Sequence, residues 1–162
     1  MTNRDFFTQR VKSEHAGFLK VFRAVPGAQL TWRPHPQSRS AEELLSHLIG
    51  HEAALAELVM TGKIDYHDLP FKSLGEGEEL YRIAHAQLLS ALSRPDDDAW
   101  DGGKGQFIIN GTVAYEAPPR DLAWLLFFDS IHHRGQLSTY LRPMGAKVPS
   151  IYGPSADDPG GD

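Results

Sequence analysis

The sequence predicts an all-α fold, a four-helix bundle with one long crossover before the last helix. Four stretches repeat apolar residues at helical spacing, breakers separate them, and residues 95–118 form one long connection rich in Asp, Gly and Pro. Helices of that number and length bury their apolar stripes most simply against one another.

The first helix is expected from about Arg4 to Val25, with Phe7, Val11, Phe18, Val21 and Phe22 on one face, and it stops before Pro26-Gly27. The stretch Gln29–Arg39 holds two prolines and reads as an ordered loop. Ser40 with Glu43 three residues on forms a capping box, which opens a second helix from about Ala41 to Met60, ended by Gly62. Its stripe is Leu44, Leu48, Leu55 and Leu58. A third helix from about Gly77 to Ser93 places Leu80, Ile83, Ala84, Leu88, Ala91 and Leu92 inward and stops at Pro95. Within the crossover, Gln106–Val113 predicts a short hairpin around Asn110-Gly111. Pro118-Pro119 opens the fourth helix, Asp121 suits its positive end, and Pro143 closes it after about Arg142. Residues 1–153 are therefore read as one domain with a docked C-terminal segment, and residues 154–162 as a flexible tail.

Composition removes several functions. A chain of 162 residues with 41% hydrophobic and 23% charged residues has the balance of one globular domain. Net charge is −5 and the 16 basic residues are scattered, so nucleic acid is not an expected partner. No apolar run approaches the ~18–20 residues needed to span a bilayer, and the polar N-terminus lacks a signal-peptide core. The expectation is a cytoplasmic protein without a membrane partner. Cysteine is absent, which excludes disulfides, thiolate ligands and a cysteine nucleophile together. The Asp96-Asp97-Asp98 run lacks the EF-hand pattern and reads as a solvated loop. No phosphate-cradling loop, Gly-x-Ser-x-Gly elbow or His-Glu-x-x-His helix occurs.

The eight histidines carry the specific signal. Along the last helix the stripe runs Leu122, Leu126, Asp129, His133, Leu137, Tyr140, so a carboxylate and an imidazole stand at core positions. A carboxylate left alone there costs several kcal/mol, and a metal ion removes that cost by giving both groups one positive partner. Spacing of i, i+4 puts them on one face, roughly 6 Å apart at Cβ. His47 on the second helix repeats the anomaly, and His51 follows one turn later as a hydrogen-bonded or ligand-orienting group. Two imidazoles and a carboxylate suit Zn, Fe, Ni or Mn. His132 also neighbours Asp129, so spacing does not choose between His132 and His133. His15, His35, His67 and His85 sit in polar contexts and are expected to be solvated.

The block His132-His-Arg-Gly-Gln-Leu-x-x-Tyr-Leu-Arg-x-x-Gly145, followed by Pro149-Ser-Ile-Tyr-Gly153, resembles the signature of the DinB/YfiT-like superfamily. Ser40-Ala-Glu-Glu-Leu-Leu-x-His47 and the Arg33–Ser40 lead-in extend the likeness over nearly the whole chain. The resemblance implies a four-helix bundle, a homodimer and one divalent metal on three ligands, commonly histidines. It selects His47 and His133 and places Asp129 where a histidine usually stands. Arg134 and Gln136 would orient ligands or an anionic substrate, and Tyr140 and Tyr152 would line the pocket.

Relatives in the superfamily include S-transferases and isomerases that use low-molecular-weight thiols such as bacillithiol or mycothiol, which suits a chain without its own cysteine. A small-molecule substrate and a thiol cosubstrate are thus the leading expectation. The alternatives are a hydrolase using metal-bound water, with His51 or Glu52 as base, and a non-catalytic stress-associated protein stiffened by its metal.

Overall fold

A computed structural model describes residues 1–94 and 96–161. Pro95, the expected stop of the third helix, and Asp162, the end of the expected tail, lie outside the described residues. Four long helices are present: α1 (Asn3–Ala24), α2 (Ala41–Thr61), α3 (Leu74–Leu92) and α5 (Pro119–Tyr140), with a short α4 (Asp97–Gly102) in the crossover. Helix α2 packs on α3 and α5, and α1 closes the ring against the same two.

The all-α expectation needs correction, because the fold is mostly helical but carries a three-stranded sheet. Strand β1 (Lys63–Asp65) pairs in parallel with β2 (Gly105–Ile109), which pairs antiparallel with β3 (Thr112–Ala117). The expected hairpin is there, turning at Asn110 and Gly111 with φ of 51° and 73°. Strand β1 is only three residues long, too short to leave a period in the sequence. It exists because Ile64 is buried against the crossover.

Caps fix the helix starts. Thr2 and Asp5 form a capping box on α1, and Ser40 and Glu43 form one on α2. Ser73 caps α3, which begins three residues before its expected start at Gly77. The buried face of α3 is Tyr81, Ala84, His85, Leu88, Ala91 and Leu92, with Leu80 half-buried against the core as expected, whereas Ile83 is exposed. Helix α5 ends at Tyr140, slightly short of Arg142.

The core divides into two apolar clusters. One joins Phe18, Phe22, Leu44, Leu48, Tyr81, Leu137 and Tyr140, and the other joins Phe7, Val11, Leu55, Leu88, Trp100, Leu122 and Phe127. Between them, each long helix contributes polar residues: Glu14 and His15 from α1, His47, His51 and Glu52 from α2, His85 from α3, and Asp129, Ser130, His133 and Arg134 from α5. Arg134, 2% exposed, crosses from α5 to α1, where Nη1 donates to Glu14 at 2.6 Å and Nη2 donates to the Tyr152 hydroxyl at 2.7 Å. Residues 155–158 of the segment read as a tail are tied back by bonds from Arg142 and Val148 to Asp157, and from Ser150 to Asp158.

Candidate metal centre

Four side chains from that polar belt meet at one point. Helix α2 supplies His47 and His51 one turn apart, and α5 supplies Asp129 and His133 one turn apart. Oδ2 of Asp129 lies 3.8 Å from Nε2 of His47, 3.4 Å from Nε2 of His51 and 3.4 Å from Nε2 of His133. The ligand atoms of His47, His51 and Asp129 all lie within 4.8 Å of one another, a group able to hold a metal ion. The His133 ring stands 4.6 Å from that of His47 and 6.0 Å from that of His51. His132 is exposed and is not among the residues that could hold the ion.

The opposite ring nitrogens are all occupied. Nδ1 of His47 meets Asp68 Oδ1 at 2.8 Å and the Tyr66 hydroxyl. Nδ1 of His51 lies 2.9 Å from Ser130 Oγ, which donates its own proton to the Leu126 carbonyl. Nδ1 of His133 lies 3.0 Å from Gln136 Oε1, while the amide nitrogen of Gln136 donates to Tyr140 Oη. In each case the partner oxygen accepts, so Nδ1 carries the hydrogen and Nε2 presents a lone pair inward.

A proton does not resolve this arrangement. Burial, with His47 and His133 beside it, pulls His51 down to about 2, and burial also lowers His47. Asp68 is pushed up by burial, but hydrogen bonds from Tyr66, His47 and Arg39 outweigh that and leave it below its ordinary value. Neutral imidazole lone pairs facing a carboxylate fit a divalent cation with nitrogen and oxygen ligands.

Local sequence explains the placement. Gly50 lies between His47 and His51, and a Cβ there would collide with the His67 carbonyl oxygen. The missing side chain lets residues 66–68 lie on α2 and brings Tyr66 and Asp68 onto His47. Arg39 holds the other Asp68 oxygen at 3.1 Å. Sequence reasoning did not find Asp68, Tyr66 or Ser130. A Tyr-His-Asp run just beyond a helix with two histidines was the only available signal.

Three expectations change. Asp129 is not a buried core carboxylate: its side chain is 45% exposed, at the rim of the cluster. His85 is buried rather than solvated, and His15 is half-buried with its ring stacked 3.7 Å from that of His85. Arg134 and Tyr152 bond each other and Glu14, away from the cluster, and Tyr152 is 72% exposed. Gln136 and Tyr140 stand behind His133 as a chain of hydrogen bonds that ends on the Arg39 carbonyl.

A cavity of about 290 Å³ opens over the cluster, lined by His47, His51, Asp129, Tyr66, Phe107, Leu125 and Leu126. A larger one of about 380 Å³ lies beside Arg4 and Trp100 and contains none of the cluster residues. Among the described residues, no helix is long and apolar enough to cross a membrane.

The model of the DinB family matches residues 1–160. The fold is similar to that of a DinB-like protein from Bacillus subtilis, with a TM-score of 0.70 and 18% identity over 90% of this chain and 96% of that one. A DinB-like protein from Bacillus cereus is also similar, with a TM-score of 0.68 and 20% identity over 90% and 95%. No curated protein matches the chain.

Proposed function

The chain belongs to the DinB family, and from that premise we propose that it binds one divalent metal ion with His47, Asp129 and His133, joined by His51, and uses it to activate a small thiol. One observation carries the reading: three Nε2 atoms stand 3.4–3.8 Å from a single carboxylate oxygen, with every Nδ1 held by an accepting oxygen.

A divalent ion held there would stabilise a thiolate at neutral pH. The protein's own groups do the rest. Asp68, Ser130 and Gln136 hold the three rings in the ligating tautomer. Asp129 supplies the only negative charge in the cluster. Phe107, Leu125 and Leu126 line the space above it with apolar groups. With no cysteine in the chain, the thiol has to arrive as a cosubstrate.

Hydrolysis is the weaker reading because one candidate base belongs to the ligand cluster and the other does not line the cavity. His51 donates from Nδ1 to Ser130, and its Nε2 would ligate the ion. Glu52 turns into the bundle, where it accepts from the Tyr81 hydroxyl at 2.9 Å. We also propose a homodimer through the outer face of α5, and a cytoplasmic address.

Metal analysis after reconstitution with Zn, Ni, Fe and Mn tests the centre, and a conjugation assay with an electrophile and low-molecular-weight thiols tests the reaction. About one ion per chain and metal-dependent conjugation are expected. A chain that takes up none of the four metals refutes the proposal.

A further inference from the structure

We propose that the cavity over the cluster selects a compact thiol with an uncharged, apolar body, and that the wall containing Phe107 and Leu125 sets this selectivity. The inference rests on the metal-centre reading above and adds a substrate class to it.

Charge comes first. A divalent ion with Asp129 as its one anionic ligand leaves a net charge of +1, since the tautomers assigned above leave the three imidazoles neutral. One thiolate cancels that charge, its S–H proton passing to solvent. Any further anionic group on the ligand that does not itself ligate the ion would lie against the cavity wall.

That wall offers it nothing. Beyond the cluster it consists of Tyr66, Phe107, Leu125 and Leu126, with no Lys or Arg among the lining residues. Tyr66 contributes only its ring, because its hydroxyl donates to Asp68 Oδ1 at 2.6 Å. Arg39, whose charge reaches His47 and His51, is paired with Asp68 at 3.1 Å. A carboxylate placed here would lose water without gaining a partner, whereas a hydrocarbon group would gain burial.

Size narrows the class further. At about 290 Å³ the cavity lies at the lower end of the roughly 300–1,000 Å³ typical of small-molecule sites. Phe107 reaches it from β2, in register with Ile64 of β1 and Tyr115 of β3, so the sheet holds this wall in place. Leu125 comes from α5 and is 55% exposed, at the open edge.

The test uses the full chain loaded with cobalt(II) and reads thiolate-to-cobalt absorption while titrating benzyl mercaptan or mercaptosuccinate. Benzyl mercaptan should half-saturate at a concentration about tenfold lower, from burial of its ring. Leu125→Lys, a change at an exposed position, should narrow that ratio by placing a cation beside the succinate carboxylates, with the helical circular dichroism unchanged. Equal saturation, or tighter mercaptosuccinate, with cobalt still bound overturns the selectivity and leaves the metal centre standing. An unaltered ratio in Leu125→Lys overturns the assignment to this wall. A chain that binds no cobalt overturns both readings.

Discussion

Nδ1 of His51 lies 2.9 Å from the hydroxyl of Ser130, and that hydroxyl has already given its proton to the Leu126 carbonyl. The imidazole must therefore be the donor, which leaves its lone pair on Nε2, facing Asp129. A serine one residue after the carboxylate thus controls a histidine on another helix.

Ser130→Ala should weaken metal binding by about tenfold, the lower end of what removing a ligand-orienting partner costs. It also leaves a buried Nδ1–H without a partner, a loss of about 1–3 kcal/mol in the folded state. Competition with a chromophoric chelator measures the first effect and urea unfolding the second. Unaltered metal affinity would mean that His51 does not ligate.

Alanine replacement of the ligands should separate the four groups. His47→Ala should lose most of the metal, because His47 stands between the other two rings, 4.3 Å from His51 and 4.6 Å from His133. Asp129→Asn should lose as much, since the amide keeps the shape and removes the cluster's one charge. His51→Ala and His133→Ala should each weaken binding by at least about tenfold. His132→Ala should bind like wild type, its ring being exposed. Metal stoichiometry by plasma emission reads all five, and equal losses in the His132 and His133 variants would place the ligand on the wrong ring.

Gly50→Ala tests the loop that supports His47. Its methyl group would meet the backbone oxygen of His67, which cannot move as a flexible side chain would. Residues 66–68 should be pushed from α2, the Asp68–His47 bond of 2.8 Å should break, and metal affinity should fall by about 10–100-fold. Overpacking of this kind also costs about 1–3 kcal/mol. A Gly50→Ala protein with native melting temperature and metal affinity would show that the loop does not depend on this contact.

The features legible in the sequence were those with a period or a cap. Ser40 and Glu43 announce α2, Pro118-Pro119 announces α5, and the interrupted stripes point to His47, Asp129 and one of His132 and His133, between which only the family resemblance chooses. Long-range partners left no such trace. Asp68 reaches His47 across 21 residues and Ser130 reaches His51 across 79, and both depend on how segments dock. Strand β1 was illegible for the same reason, since its partner lies beyond α3 and α4. His85 is hard to place from sequence because nearby Arg82 and Gln87 are exposed while its own position shares a face with Tyr81 and Leu88.

Assembly is open to a direct test. Phe6 and Phe128 are 42% and 61% exposed, and both rings stand beside Trp124, at 5.8 Å and 5.4 Å. The proposed homodimer would cover this exposed aromatic cluster. Light scattering at tens of micromolar should give the mass of a dimer, and Phe128→Lys should give that of a monomer. A monomeric wild type would remove the dimer.

The polar belt also has an end away from the candidate metal centre, and it should make the fold acid-labile. His15 and His85 stack at 3.7 Å, His85 Nδ1 lies 3.4 Å from Glu52, and both His15 Nδ1 and Glu52 Oε2 are buried without a hydrogen-bond partner. Burial, then the neighbouring His85, Arg82 and Arg23, pulls His15 down to about 4 from its ordinary 6.5. A base with a depressed folded value takes up its proton more readily when unfolded. Its contribution to stability is therefore full above pH 6.5 and is lost as the pH falls toward 4. His15→Phe keeps a flat ring against His85 and Tyr81 and removes the titration. Compared by urea unfolding in the presence of chelator, so that metal release does not intervene, the variant should gain on wild type steadily from pH 7 to pH 4.5. Parallel stability curves over that range would show that His15 does not carry the acid sensitivity.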